Sequence, residues 1–255
     1  MHQQPGHDQN PYAPPPGAHQ QAEPNFAPGA YVDPRAQLAS GVDRFMSNVF
    51  MWMAAGLGVS AAAAALPALD GYRTIAMLFE SVPFMQWILL LAPLPMVFFL
   101  SARMWKMSPT GALLGFFAFA ALEGLSLFWI PIVYDMGSII GVFGVTSVMF
   151  ASLALFGYVT KRDLGPMGNF LFMALIGLIV ASLVNVFVGG MSMIIAGVGV
   201  LIFAGLTAWD TQNLKQLYLE RGGEGNLAVY GALTLYLDFI NIFLFLLRLF
   251  GGGRD

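Results

Sequence analysis

Two aspartates stand alone in stretches that are otherwise apolar enough to lie in a lipid bilayer: Asp210, within Gly-Leu-Thr-Ala-Trp-Asp-Thr-Gln-Asn, and Asp238, within Leu-Tyr-Leu-Asp-Phe-Ile-Asn. An ionised aspartate at the middle of a spanning helix is unfavourable by about 2.5–3.5 kcal/mol, so such residues face an interior and mark a proton or ion path. Residues three and four apart share a helical face, which groups Thr207, Asp210 and Asn213 on one helix and Thr234, Asp238 and Asn241 on the next. Two such stripes are expected to face each other or a shared wet cavity, bringing Asp210 to Asp238. The bland alternative is a protonated strut that packs two helices together without transport.

At about 4 Å and an effective dielectric of about 20, two carboxylates repel by about 4 kcal/mol. A pair in contact therefore shares one proton in mild acid, loses it as pH rises and titrates as a unit, which makes it a pH sensor. The charge left by the lost proton is relieved by separation, by a cation or by an arginine, and each of these can move a helix. Glu123, in Ala-Leu-Glu-Gly-Leu-Ser-Leu, is a further candidate for the cavity wall, or else a hydrogen-bonded packing residue. Arg103, in Leu-Ser-Ala-Arg-Met-Trp-Lys, is the candidate gating partner, or else snorkels to the headgroups. Carboxylate, amide and hydroxyl oxygens suit calcium, but two or three acids leave most of its six to eight positions to water. A weak transit site at Asp210 and Asp238 is expected, with no tightly held metal. No cofactor is expected, because the spans hold no ligand for one.

These side chains need helices in lipid to position them. The chain is 58% hydrophobic and 10% charged, whereas about a quarter of the residues of a soluble domain are charged. Crossing about 30 Å of hydrocarbon takes about 20 apolar residues. Seven stretches qualify: about 48–69, 82–101, 111–131, 138–159, 169–188, 191–209 and 227–250. Runs such as Leu171 to Val188 are apolar on every face, which excludes the alternating strands of a barrel. The predicted class is an all-α polytopic membrane protein. Gly111-x-x-x-Gly115 and Gly137-x-x-x-Gly141 read as sites of close helix approach.

Residues 1–40 hold eight of the fifteen prolines and no apolar period, so they are predicted to be a disordered tail. All three histidines, His2, His7 and His19, fall there and read as part of a solvated segment. No apolar signal-peptide core precedes Val49, so the first span is expected to remain as an anchor. The absence of cysteine excludes disulfides and thiol catalysis. Placing the tail in the cytoplasm puts eight of eleven basic residues on the inner side, including Arg103, Lys106, Lys161, Arg162, Lys215 and Arg221; this is the bias expected of inside loops.

Gly205-Leu206-Thr207-Ala208-Trp209-Asp210-Thr211-Gln212 closely resembles the signature of the transmembrane Bax inhibitor motif family: a glycine, then aromatic-Asp-Thr-Gln. Glu123-Gly124-Leu125-Ser126-Leu127 and the segment from Ala232 to Asn241 are similar to family segments in the same order. The resemblance runs from about residue 40 to 250. It implies a seven-helix fold with the last helix near the centre and a pH-dependent calcium leak controlled by an aspartate pair. Asp210 and Asp238 match the two family positions, and Arg103 is the candidate for a latching arginine. The Pro-rich tail looks like that of bacterial members and implies the cytoplasmic membrane.

The leading expectation is a pH-sensitive calcium-permeable leak channel, with the bilayer, protons and calcium as partners. An intramembrane aspartyl protease is disfavoured, because Leu235-Tyr236-Leu237 precedes Asp238 where such proteases resemble one another in Gly-x-Gly-Asp. No enzyme activity and no nucleic-acid partner are expected. The alternative is a non-transporting regulator that binds a membrane protease or a stress or survival factor.

Overall fold

The computed structural model describes residues 34–222 and 225–252. The tail's predicted disorder, as far as residue 33, and the three histidines lie outside the described residues. Residues 1–39 and 40–255 form two units. Of the first, residues 34–39 are described, and they are helical.

The chain is an all-α polytopic integral membrane protein. Its α-helices, among the described residues, are α1 (Pro34–Ala65), α2 (Arg73–Ser81), α3 (Met85–Leu91), α4 (Pro93–Arg103), α5 (Pro109–Ser126), α6 (Ile130–Val133), α7 (Met136–Val159), α8 (Gly165–Val188), α9 (Ser192–Arg221) and α10 (Leu227–Phe250). Seven stretches are long and apolar enough to cross a membrane: Gln37–Asp70, Met85–Lys106, Pro109–Val133, Met136–Val159, Gly165–Val188, Ser192–Arg221 and Leu227–Phe250. The second joins α3 to α4 through Ala92; Pro93 and Pro95, the first and third residues of α4, bring no backbone N–H to the ladder at this junction.

The first and sixth spans depart furthest from the expected bounds; the others differ by a few residues at one or both ends or not at all. The first helix already begins at Pro34, within the segment read as tail; proline suits a helix start, since its missing N–H has no partner there. The sixth continues through residues 210–221. Hydropathy falls after Trp209, but Gln, Leu, Lys, Glu and Arg are good helix formers. The helix stops where Gly222 takes the left-handed conformation (φ 67°) and its N–H donates to Tyr218 O at 2.8 Å. Asp210 therefore lies in the body of α9 and not at its end.

The helix α9 packs on α10, α7 and α8, and α10 also packs on α7 and α5. Half of the central window of α9 and 56% of that of α10 are buried, against 11% for α8, so the last helix is central. Tyr236, Leu233, Leu235, Ile242 and Leu247 of α10 are almost wholly enclosed. The outer faces of α8 expose Phe170, Val186 and Phe187, as suits a helix whose solvent is lipid.

Close helix approach occurs at other glycines than the expected ones. A Cβ at Gly157 would lie 2.1 Å from Ala208 O, and one at Gly124 would lie 2.2 Å from Ser60 O. These glycines let α7 meet α9 and α5 meet α1, backbone to backbone. Gly141 has open space around it, and Gly115 meets only the side chains of Leu100 and Met107. Spacing within one helix does not tell which face its neighbour takes.

Candidate functional site

Asp210 of α9 and Asp238 of α10 meet at the contact between the two most enclosed helices, 9% and 4% exposed respectively. Their carboxyl groups lie within interaction reach of each other. A protonated carboxyl at either position can donate to the other. No basic group acts on either side chain among the described residues. The buried Asp238 Oδ2 receives no bond from an N–H or hydroxyl donor.

A cavity of about 620 Å³ opens beside the pair, walled by α8, α9 and α10 with Leu94 of α4. Asp210, Asp238, Thr234, Asn241 and Ser182 supply its polar groups; Leu175, Ile179, Phe203 and other apolar side chains make up the rest. The hydroxyls and the amide turn back on their own helices: Thr234 donates to Tyr230 O at 3.1 Å, Asn241 to Leu237 O at 2.8 Å and Ser182 to Leu178 O at 2.8 Å. The two hydroxyl hydrogens and one hydrogen of the amide are therefore engaged by the backbone, while the oxygens remain available as acceptors.

The expected set is only partly gathered here. Thr234 and Asn241 line the cavity with the pair. Thr207 is fully buried away from it, donating to Phe203 O at 2.8 Å. Asn213 is half-buried on the turn after Asp210 and is not part of the cavity wall. Glu123 lies on α5 and does not line this cavity. Arg103 is exposed, with its guanidinium 5.9 Å from the centre of the Phe99 ring. Neither Glu123 nor Arg103 lines the cavity beside the pair; of α4, Leu94 near its start does, and Arg103 stands at its other end. The reading of a common cavity for all of them is corrected to Thr234 and Asn241 alone.

Sequence reasoning missed three polar clamps. Gln212 Oε1 accepts from Leu164 N at 2.8 Å, and its Nε2 donates to Arg162 O at 2.8 Å, fastening the loop between α7 and α8 to α9. Asn226 Nδ2 donates to Met104 O at 2.7 Å and to Met107 O at 2.8 Å, tying the start of α10 to the α4–α5 connection. Ser60 Oγ lies 2.7 Å from both Ala120 O and Tyr236 Oη, joining α1, α5 and α10. The Asp-Thr-Gln run was the one visible signal, and its three residues do different work. Asp210 pairs with Asp238, Thr211 bonds back to Thr207 O at 2.8 Å, and Gln212 holds a loop.

Residues 42–255 match the family described as Inhibitor of apoptosis-promoting Bax1. The chain is 43% identical over 230 residues to the inner membrane protein YbhL of Escherichia coli (strain K12), covering 88% of this chain and 96% of that protein. It is 43% identical over 220 residues to an uncharacterised protein of Deinococcus radiodurans, covering 84% and 92%. It is 37% identical over 220 residues to protein RP147 of Rickettsia prowazekii, again covering 84% and 92%.

Proposed function

The chain belongs to the family described as Inhibitor of apoptosis-promoting Bax1, and from that premise we propose that it is a pH-sensitive, calcium-permeable leak channel gated by Asp210 and Asp238. The observation that carries the reading is the carboxyl pair, buried at the α9–α10 contact and set on the wall of a cavity, to which we assign one shared proton. While the proton stays, the pair ties the two helices. When it leaves, two like charges at about 4 Å repel by about 4 kcal/mol at an effective dielectric of about 20. Separation or an arriving cation relieves that repulsion, and either one alters the α9–α10 contact.

Calcium is the ion that the oxygens suit. Asp210, Asp238, Thr234 and Asn241 offer fewer groups than its six to eight positions, so water completes the shell and the ion passes on. The bias of basic residues supports a cytoplasmic N-terminal side, and the likeness to the E. coli inner membrane protein supports the bacterial inner membrane as the location.

Proteoliposomes loaded with a calcium indicator test the reading. Flux is expected to vary between about pH 6 and 8, where a coupled carboxyl pair would give up its proton. Wild-type liposomes that pass no calcium at any pH overturn it.

A further inference from the structure

Away from the aspartate pair, an apolar groove of about 690 Å³ runs between α1 and α7, with Phe239 of α10 also lining it. Its walls include Phe50 and Leu57 on one side and Phe143, Phe150 and Leu155 on the other. From Phe50 to Ala61 the groove follows α1 for about 16 Å at about 1.5 Å per residue. This is the depth of one leaflet of a core about 30 Å thick. The groove ends at Tyr158, and Tyr158 also lines a second pocket of about 220 Å³ that contains Lys161, Arg162 and Lys215.

Tyr158 is the join between an apolar slot and a basic one. Its ring carries the Lys215 ammonium 4.8 Å from the ring centre, and Lys215 Nζ donates to Tyr158 O at 3.1 Å. Its hydroxyl donates to Asp43. The backbone bearing Arg162 is fixed by the Gln212 clamp. Three cations face one acid in the pocket, Asp163, one of whose oxygens already accepts from Gly165 N at 2.8 Å.

We propose that this composite site binds one anionic phospholipid, with an acyl chain in the α1–α7 groove and the headgroup phosphate among Lys161, Arg162 and Lys215. Charge complementarity and the groove's depth select the occupant: a zwitterionic lipid brings its own ammonium, which the three cations repel, and a free phosphate leaves the groove unused. Native mass spectrometry of the full chain, released from nanodiscs of equal phosphatidylglycerol and phosphatidylcholine, reads the retained lipid directly. Phosphatidylglycerol should be retained about tenfold over phosphatidylcholine, the effect that a few basic residues near a membrane surface supply.

Lys161→Gln with Arg162→Gln should abolish that preference; both side chains are exposed in a loop, so folding is not at stake. Ala54→Phe with Ala151→Phe, which fills the groove from two exposed positions, should reduce retention of both lipids. Equal retention of the two lipids by the wild type overturns the proposal, as does a preference that survives the loop substitutions. Soluble glycerol phosphate that binds wild type and groove-filled variant alike, with no lipid retained, assigns the pocket to free phosphate and also overturns it.

Discussion

Tyr236 Oη lies 2.7 Å from Ser60 Oγ, one helical turn or less before Asp238 on α10, and the same Ser60 oxygen lies 2.7 Å from Ala120 O. Phe116 and Phe119 stand edge-on to the Tyr236 ring, each with its centroid 5.8 Å away. This cluster sets how α10 sits against α1 and α5, and so where Asp238 is presented. Tyr236→Phe leaves Ser60 bonded to Ala120 O and should destabilise by about 1 kcal/mol, the net worth of one hydrogen bond. Ser60→Ala strands a buried hydroxyl and should destabilise by about 1–3 kcal/mol. Thermal melts of the two single variants and the double should show that Tyr236→Phe costs little once Ser60→Ala has been made. Additive losses would remove the claim that the two hydroxyls act together.

The carboxyl pair makes a prediction that needs no transport assay. Above the pH at which the shared proton leaves, the wild type carries two repelling charges at the α9–α10 contact, whereas Asp210→Asn or Asp238→Asn carries one. An asparagine amide also donates to the remaining carboxylate at any pH. The wild-type melting temperature should therefore fall as pH rises through the proton loss, and either variant should stay level over the same interval. Parallel melting curves for all three proteins would mean that the pair does not hold the proton on which the gating reading depends.

Gln212 makes two bonds to the loop between α7 and α8 and serves no part of the cavity. Gln212→Ala leaves Leu164 N–H without its partner and should cost about 1–3 kcal/mol locally. The loop carries Lys161 and Arg162, so limited trypsin digestion reports its release. Cleavage after these residues should speed up several-fold in the variant, while sites on the α4–α5 connection, such as Lys106, keep their wild-type rate. An unchanged digestion pattern would show that the loop is held by other contacts.

Helices in lipid announce themselves, because hydrophobicity must persist for the whole crossing, and all seven stretches were visible for that reason. Lateral arrangement was legible only where it was expensive to do otherwise. Asp210 and Asp238 had to meet, since neither could face hydrocarbon alone. Glu123 and Thr207 obeyed the same polarity rule but lie away from the cavity, Thr207 bonded to its own backbone. Arg103 is exposed beside the Phe99 ring, and a long flexible side chain gives no sign in sequence of which way it turns. The close approaches at Gly124 and Gly157 escaped notice because a glycine's importance depends on what faces it. Ser60 is one serine among alanines, and only its contacts with Ala120 and Tyr236 mark it.

Outside the spans, Asp135 gives a pH dependence whose sign is fixed by its bonds. It is the N-cap of α7, accepting at Oδ1 from Ser138 N at 2.9 Å. Bonds from the Ser138 hydroxyl and then from its backbone N–H hold the carboxyl below its ordinary value of 3.8. Folding therefore favours the ionised form: the cap's contribution is complete above the unfolded value and is lost as pH falls through the lower, folded one. Asp135→Asn keeps a capping oxygen that does not titrate. Hydrogen exchange at the first turn of α7 should quicken in the wild type as pH drops below about 4, after correction for intrinsic rates, and should stay level in the variant. The same acid-induced fraying in both proteins would assign it to another group, and Asp135 would then be an ordinary surface carboxylate.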